Sequence, residues 1–234
     1  EGDRRKAIDA IRLVDGVSLT SLRKGTRSHK YSSGHALILS GGAGKTGAAR
    51  LTARGALRIG AGLVTLGVPG PARAEAASQI TAVMMSRVDD GNELGSVLED
   101  SRLNAICLGP GLGIERACEL VPVVLNDRGK IPRSARSVVL DADALTAYEH
   151  APVTLFGMLH ERCVLTPHDG EFARLFPDIR AKLGEMPSIG PAYSKADAVR
   201  TAAERAGCVV LLKGSDTVIA GPDGRCSINS APYG

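Results

Sequence analysis

The feature that most constrains this chain is a repeated grammar: a short aliphatic run ends in a glycine-rich or polar turn, and a helical stretch follows. Residues 36–40 (Ala36-Leu-Ile-Leu-Ser40) lead into Gly41-Gly-Ala-Gly44 and then a helix expected over 46–61. Gly62-Leu-Val-Thr-Leu-Gly-Val68 reads as the next strand. Asn104-Ala-Ile-Cys-Leu108 runs into Gly109-Pro-Gly-Leu-Gly113, and Ser137-Val-Val-Leu140 into Asp141-Ala-Asp143. Cys163-Val-Leu165 runs into Thr166-Pro-His-Asp-Gly-Glu171, and Cys208-Val-Val-Leu-Leu212 into Lys213-Gly-Ser-Asp-Thr217. Strands alternating with helices predict an α/β fold with a mostly parallel sheet covered on both faces. Ligands of such sheets bind beyond the carboxyl ends of the strands, where every unusual motif of this chain lies.

Toward the end the pattern changes. Thr217-Val-Ile-Ala220 and Cys226-Ser-Ile-Asn229 flank Gly221-Pro-Asp-Gly224, which predicts a closing antiparallel hairpin. Before it, residues 192–207 read as a helix with Ala196, Val199, Ala203 and Ala206 on one face and Gly207 as its C-cap. In the 46–61 helix, Arg50, Arg54 and Arg58 share one face, and Ala48, Gly55 and Ile59 are expected to approach the sheet. Residues 85–102 and 177–191 are polar and weakly periodic, and read as connections.

Composition narrows the function classes. At 44% hydrophobic and 23% charged, the chain can bury a real core. It has no apolar run long enough to span a membrane and no apolar signal segment near residue 1, so a cytoplasmic protein without membrane contact is expected. Five scattered cysteines without CxxC spacing predict reduced thiols and no structural metal site. Residues 1–30 carry eight Lys/Arg against four Asp/Glu (8 − 4 = +4), the whole net charge of the chain. Residues 1–28 therefore read as a basic N-terminal arm or linker remnant. With no Trp, four Tyr and three Phe, base stacking is poorly served and no nucleic-acid partner is expected.

The glycine motifs leave alternatives open. Gly44-Lys45-Thr46 imitates the end of a P-loop, but the first glycine of that pattern falls on Leu39. What survives is a turn that offers amides and a helix N-terminus to an anion. Gly109-Pro-Gly-Leu-Gly113 brings its third glycine one residue too early for the dinucleotide fingerprint. His168 is either a ligand contact or a turn histidine satisfied locally. Asp141 and Asp143 divide between capping the next helix and meeting a ligand, and Lys213 between a ligand cation and a surface lysine.

Taken in order, these motifs resemble the ADP/ATP-dependent NAD(P)H-hydrate dehydratase family. The resemblance runs from His29-Lys-Tyr-Ser-Ser-Gly34 through Gly47-Ala-Ala49, Gly60-Ala-Gly-Leu-Val64, Gly109-Pro-Gly-Leu-Gly113 and Val139-Leu-Asp-Ala-Asp-Ala-Leu145. It continues with Leu165-Thr-Pro-His-Asp-Gly-Glu-Phe172 and Leu212-Lys-Gly-Ser-Asp-Thr217, about 200 residues in all. It implies a three-layer αβα ribokinase-like domain over 29–234 and a lyase of metabolite repair. The hydroxyl on the hydrated nicotinamide ring would be phosphorylated by ADP or ATP, with Mg²⁺ assisting, and phosphate would then leave. Ala48, Gly111 and His168 would contact the hydrated dinucleotide. Lys213, Gly214, Ser215, Asp216 and Thr217 would line the adenine nucleotide site, and Asp141 would neighbour the reacting groups. A homotetramer and a fused or partner epimerase are further implications. The family's Gly-Thr/Ser-Gly-Asp motif, with its general-base Asp, does not occur up to Gly234. That Asp is expected after Gly234, and the chain as given is expected to be inactive or severely impaired.

Overall fold

The computed structural model describes residues 10–14, 33–126, 136–186 and 190–230. Its strands are β1 (Ile11–Leu13), β2 (His35–Leu39), β3 (Leu63–Val68), β4 (Met84–Arg87), β5 (Leu103–Leu108), β6 (Ser137–Leu140), β7 (Cys163–Leu165), β8 (Val209–Leu212), β9 (Thr217–Ala220) and β10 (Cys226–Asn229). Its helices are α1 (Gly47–Ile59), α2 (Arg73–Ala77), α3 (Gly91–Leu98), α4 (Ile114–Leu125), α5 (Asp143–Thr146), α6 (Pro152–Phe156), α7 (Asp169–Leu175), α8 (Pro177–Leu183) and α9 (Lys195–Ala206). The chain divides into two compact units, one of Ser18–Ala147 and one of Glu1–Val17 with Tyr148–Gly234. None of the described helices is long and apolar enough to cross a membrane.

In the first unit the strand order is β6-β5-β2-β3-β4, and every pairing is parallel. β2 lies at its centre with all five residues buried, as a strand covered on both faces requires. Helix α1 packs on it through Ala49 and Ala53, with Ala56 and Leu57 partly buried against Ala36, Ile38, Val64 and Leu66. This corrects the expected inward face. Ala48 and Gly55 are exposed and Ile59 is 63% exposed. The helix carries two small-residue stripes about 100° apart, and the sheet takes the one that also brings Leu57 inward.

Residues 85–102 are not a plain connection. They finish edge strand β4 and form α3, whose first turn is held by the Asp90 carboxylate accepting from the amides of Asn92 and Glu93, both at 2.9 Å. An edge strand pairs on one side and exposes alternate residues, so Met84-Met-Ser-Arg87 shows little apolar signal.

In the second unit the order is β1-β10-β9-β8-β7. β7 and β8 are parallel, whereas β8–β9 and β9–β10 are antiparallel, so the predicted hairpin closes this sheet. β1 adds to its edge, parallel to β10. The remainder of 1–28 lies outside the described residues. The segment read as a 177–191 connection contains α8, started by Pro177 at its first turn, where proline's fixed φ suits a helix. Helix α9 buries Ala196, Val199, Ala203 and Ala206 as predicted, together with Ala198 and Ala202, and ends at Gly207 with φ 65°. All three phenylalanines of the chain pack together here. The rings of Phe156 and Phe172 each stand 5.1 Å from that of Phe176. Burying such a side chain stabilises the fold by roughly 1.5–3 kcal/mol, so the phenylalanines serve the core.

Candidate active site

In the first unit the loops at the carboxyl ends of β2, β5 and β6 interlock backbone to backbone. A Cβ on Gly41 would stand 1.8 Å from the Gly111 carbonyl oxygen, and one on Gly109 would stand 1.7 Å from that of Asp141. Glycine at 41 and 109 is what permits this approach. The loop after β6 is held under strain. Ala142, at φ 47°, is the one non-glycine with positive φ among the described residues. Its neighbours bind on both sides. The Asp141 amide donates to the Leu108 carbonyl at 3.2 Å, and the Asp143 carboxylate accepts from the Gly113 amide at 2.7 Å. The N-cap of α5 is Ala142, so neither aspartate takes the capping position. Asp143 braces the 109–113 loop, and Asp141 stands half-buried beside Gly109. The Cys107 thiol nearby is pushed up to about 12 by burial and then by the Asp141 charge, which leaves it a poor nucleophile.

The turn that opens α1 differs from expectation. The groups predicted to meet a free anion hold a carboxylate of this chain instead. Gly44 N–H donates to Glu75 Oε2 at 2.6 Å and the Thr46 hydroxyl to Oε1 at 2.5 Å. The Gly44 amide first, then the Thr46 hydroxyl, keeps the Glu75 carboxyl below its usual range. An unsatisfied helix N-terminus attracts any nearby anion, and α2 brings Glu75 there. Ala48, the second residue of α1, is exposed beside this turn, and Gly111 is half-buried against the Lys45 carbonyl. Arg116 of α4 reaches across to donate to the carbonyls of Ser40, Val88 and Asp89, fixing the chain just beyond β2 and β4. Its burial lowers the guanidinium's proton affinity.

The second unit gathers the remaining candidates. His168 is the N-cap of α7, and its Nδ1 accepts from the amides of Gly170 at 2.9 Å and Glu171 at 3.3 Å. The buried Glu171 carboxylate accepts the His168 amide at 2.8 Å, which completes a capping box. The Lys213 amide donates to the Pro167 carbonyl at 2.9 Å, so the 166–168 turn and the 213–217 loop are joined. In that loop Ser215 and Asp216 are exposed, while Lys213, Gly214 and Thr217 are half-buried. Lys195, at the start of α9, donates through Nζ to the Asp216 carbonyl at 2.6 Å. A Cβ on Gly214 would stand 2.8 Å from that ammonium.

Gly111 and Asp141 therefore lie in the first unit's strand-end loops and Ala48 in the first turn of α1 that follows one of them, and His168 shares the second unit's loops with residues 213–217. Glu75, Arg116 and Lys195 escape sequence reasoning because each acts on backbone far away in sequence. Asp143 and Glu171 stood inside recognised motifs, as did their partners Gly113 and His168, but the motifs alone did not pair them. Among the described residues no group of three or more His, Cys, Asp or Glu is arranged to hold a metal ion.

A family model described as NAD(P)H-hydrate dehydratase matches residues 36–233. The bifunctional NAD(P)H-hydrate repair enzyme Nnr of Synechocystis sp. is 36% identical over 207 residues, covering 84% of this chain and 35% of that protein. Its namesake from Moorella thermoacetica is 36% identical over 220 residues, covering 88% and 38%. This chain thus spans little more than a third of the length of these curated relatives. Among solved structures, a ribokinase-like superfamily protein from Enterococcus faecalis superposes with a TM-score of 0.70 at 20% identity, over 95% of this chain and 72% of that one. That likeness shows the fold to be ribokinase-like. The ADP/ATP-dependent NAD(P)H-hydrate dehydratase of Bacillus subtilis, co-crystallized with ATP/Mg²⁺, superposes with a TM-score of 0.66 at 28% identity, over 90% and 69%. With the family model matched across nearly all of its described residues, the chain belongs to the NAD(P)H-hydrate dehydratase family.

Proposed function

We propose that this protein restores hydrated NAD(P)H by ADP- or ATP-dependent dehydration. The observation that carries this reading is the match over 36–233, which includes every strand-end loop described above. Hydroxide is a poor leaving group, so phosphorylating the ring hydroxyl and then expelling phosphate is a sound route to the restored ring. In this reading Ala48, Gly111 and His168 bind the hydrated dinucleotide, with Asp141 beside the reacting groups. Lys213, Gly214, Ser215, Asp216 and Thr217 hold the adenine nucleotide. Charge on the transferred phosphoryl group must be met by fixed donors and cations, and Lys213 and Lys195 supply two at the nucleotide loop.

Mg²⁺ of the kind that accompanies nucleotides takes most of its ligands from phosphate and water, with one or two carboxylates. The exposed Asp216 carboxylate fits that need within the loop. The ion would supply charge neutralisation on the phosphates. The greater length of the bifunctional relatives supports a second active portion, expected to be an epimerase, in the same protein or a partner.

The test is to supply hydrated NADH with ADP or ATP and follow the return of reduced-nicotinamide absorbance, with calorimetry of both ligands alongside. Restoration supports the proposal. Binding of both ligands without restoration assigns these residues to ligand binding alone. A stable phosphorylated alcohol as product would show a small-molecule kinase of the same fold instead, and neither binding nor turnover overturns the proposal.

A further inference from the structure

We infer that His168 is a one-way hydrogen-bond donor, offering Nε2–H to an uncharged oxygen of the bound dinucleotide, and that Glu171 is the positioning residue that fixes it so. The substrate class rests on the function proposed above; the state of the ring does not.

A neutral imidazole has one nitrogen that donates and one that accepts. In His168 two backbone amides, those of Gly170 and Glu171, are aimed at Nδ1 at 2.9 and 3.3 Å, which leaves no room for a proton there. The ring proton therefore sits on Nε2. Glycine at 170 lets the ring lie against the turn, since a Cβ there would come within 2.9 Å of the His168 Cε1. Glu171 closes the arrangement through Oε2, and its side chain is only 5% exposed. Its Oε1 stands 3.5 Å from Nε2, too far for a hydrogen bond. The Nε2–H is thus not consumed within the turn, and the His168 side chain is 56% exposed.

That same Oε1 selects the ligand atom. A phosphate oxygen accepting from Nε2–H would be brought against a buried carboxylate of like charge, whereas a carboxamide or hydroxyl oxygen would not. The other charges nearby include Lys213, whose amide donates to the Pro167 carbonyl at 2.9 Å. Arg174, beside Gly170, is engaged by Glu149 at 2.7 Å, and Asp169 is acidic and exposed. A histidine used in this way orients substrate.

The ring state is read by long-range proton–nitrogen NMR of the purified protein with ¹⁵N-labelled histidine, at mildly alkaline pH. The expected spectrum for His168 shows a protonated Nε2 and a bare Nδ1; a proton on Nδ1 overturns the inference. NADH and inorganic pyrophosphate are then titrated separately. NADH should shift the Nε2–H signal and pyrophosphate should not. An equal response to pyrophosphate overturns the preference for uncharged oxygen, and no response to NADH overturns the ligand contact, while the free-protein spectrum still decides the ring state. Glu171→Gln keeps an oxygen for the cap but removes the charge, so it should keep the tautomer and gain a response to pyrophosphate. His168→Asn keeps a capping oxygen and loses the donor. It should unfold near the wild-type temperature yet bind NADH roughly tenfold more weakly, the worth of one hydrogen bond; unchanged affinity speaks against the donor.

Discussion

The backbone amide of Gly113 donates to the Asp143 carboxylate at 2.7 Å, which ties the loop after β5 to the turn after β6. The bond spans thirty positions and also steadies Ala142 in its strained conformation.

Removing the acceptor should loosen both loops. Asp143→Ala should cost about 1.5–3 kcal/mol, the range for a hydrogen bond to a charged group, and Asp143→Asn should recover part of it. Thermal unfolding of the two variants checks this; equal midpoints for wild type and Asp143→Ala would sink it.

The contact between the two glycine loops separates neighbouring residues. Gly41→Ala places a methyl group 1.8 Å from the Gly111 oxygen, whereas a Cβ on Gly42 meets nothing within 4 Å. Gly41→Ala should lose on the order of 3 kcal/mol through forced backbone movement, and Gly42→Ala should stay within about 0.5 kcal/mol of wild type. Chemical denaturation of both variants decides whether the loops touch as described.

His35 makes stability depend on pH. It is buried at the start of β2, with Nε2 2.8 Å from the Thr65 hydroxyl and Nδ1 buried without a partner among the described residues. Burial, partly opposed by Asp100, lowers its pKa below 6.5. The unfolded chain then takes up the proton first, so this contribution is present above about pH 6.5 and falls as pH drops toward the lower folded value. Urea unfolding across this range should show a shallower fall for His35→Gln than for wild type. Identical slopes would remove His35 as the cause.

Lys195 should govern the 213–217 loop. Lys195→Met removes the ammonium that holds the Asp216 carbonyl at 2.6 Å. ADP binding should weaken about five- to tenfold, as expected for one charge-assisted hydrogen bond, and the amides of 213–217 should exchange faster without nucleotide. Lys195→Arg should restore part of both. Unchanged exchange in Lys195→Met would show that the loop holds its shape unaided.

The two missed helices were legible in part. Asp90 and Glu93 stand three apart, a helix-start signal, and Glu93 does accept the Asp89 amide at 2.7 Å. Pro177 at a helix start is likewise a known signal. Both were outweighed because α3 and α8 are short, at eight and seven residues, and bury only Leu94 and Ile179 fully, too few to set a period. The choice between the stripes of α1 was not legible, since Ala48 and Ala49 differ in no local property that periodicity reads.

What the sequence by itself determined was the alternation of strand, turn and helix, the closing hairpin, the Gly207 cap and the ordered motifs that identify the family. These follow from local propensity and spacing, which each residue carries within a few positions of itself. Only the tertiary structure decided that Glu75 fills the turn of α1, that Asp143 rather than Asp141 braces Gly113, and that Lys195 holds the 213–217 loop. Each of these joins a side chain to a backbone group, and every residue supplies the same backbone donor and acceptor. The partner's identity therefore leaves no mark in the sequence, and only the fold brings the two together.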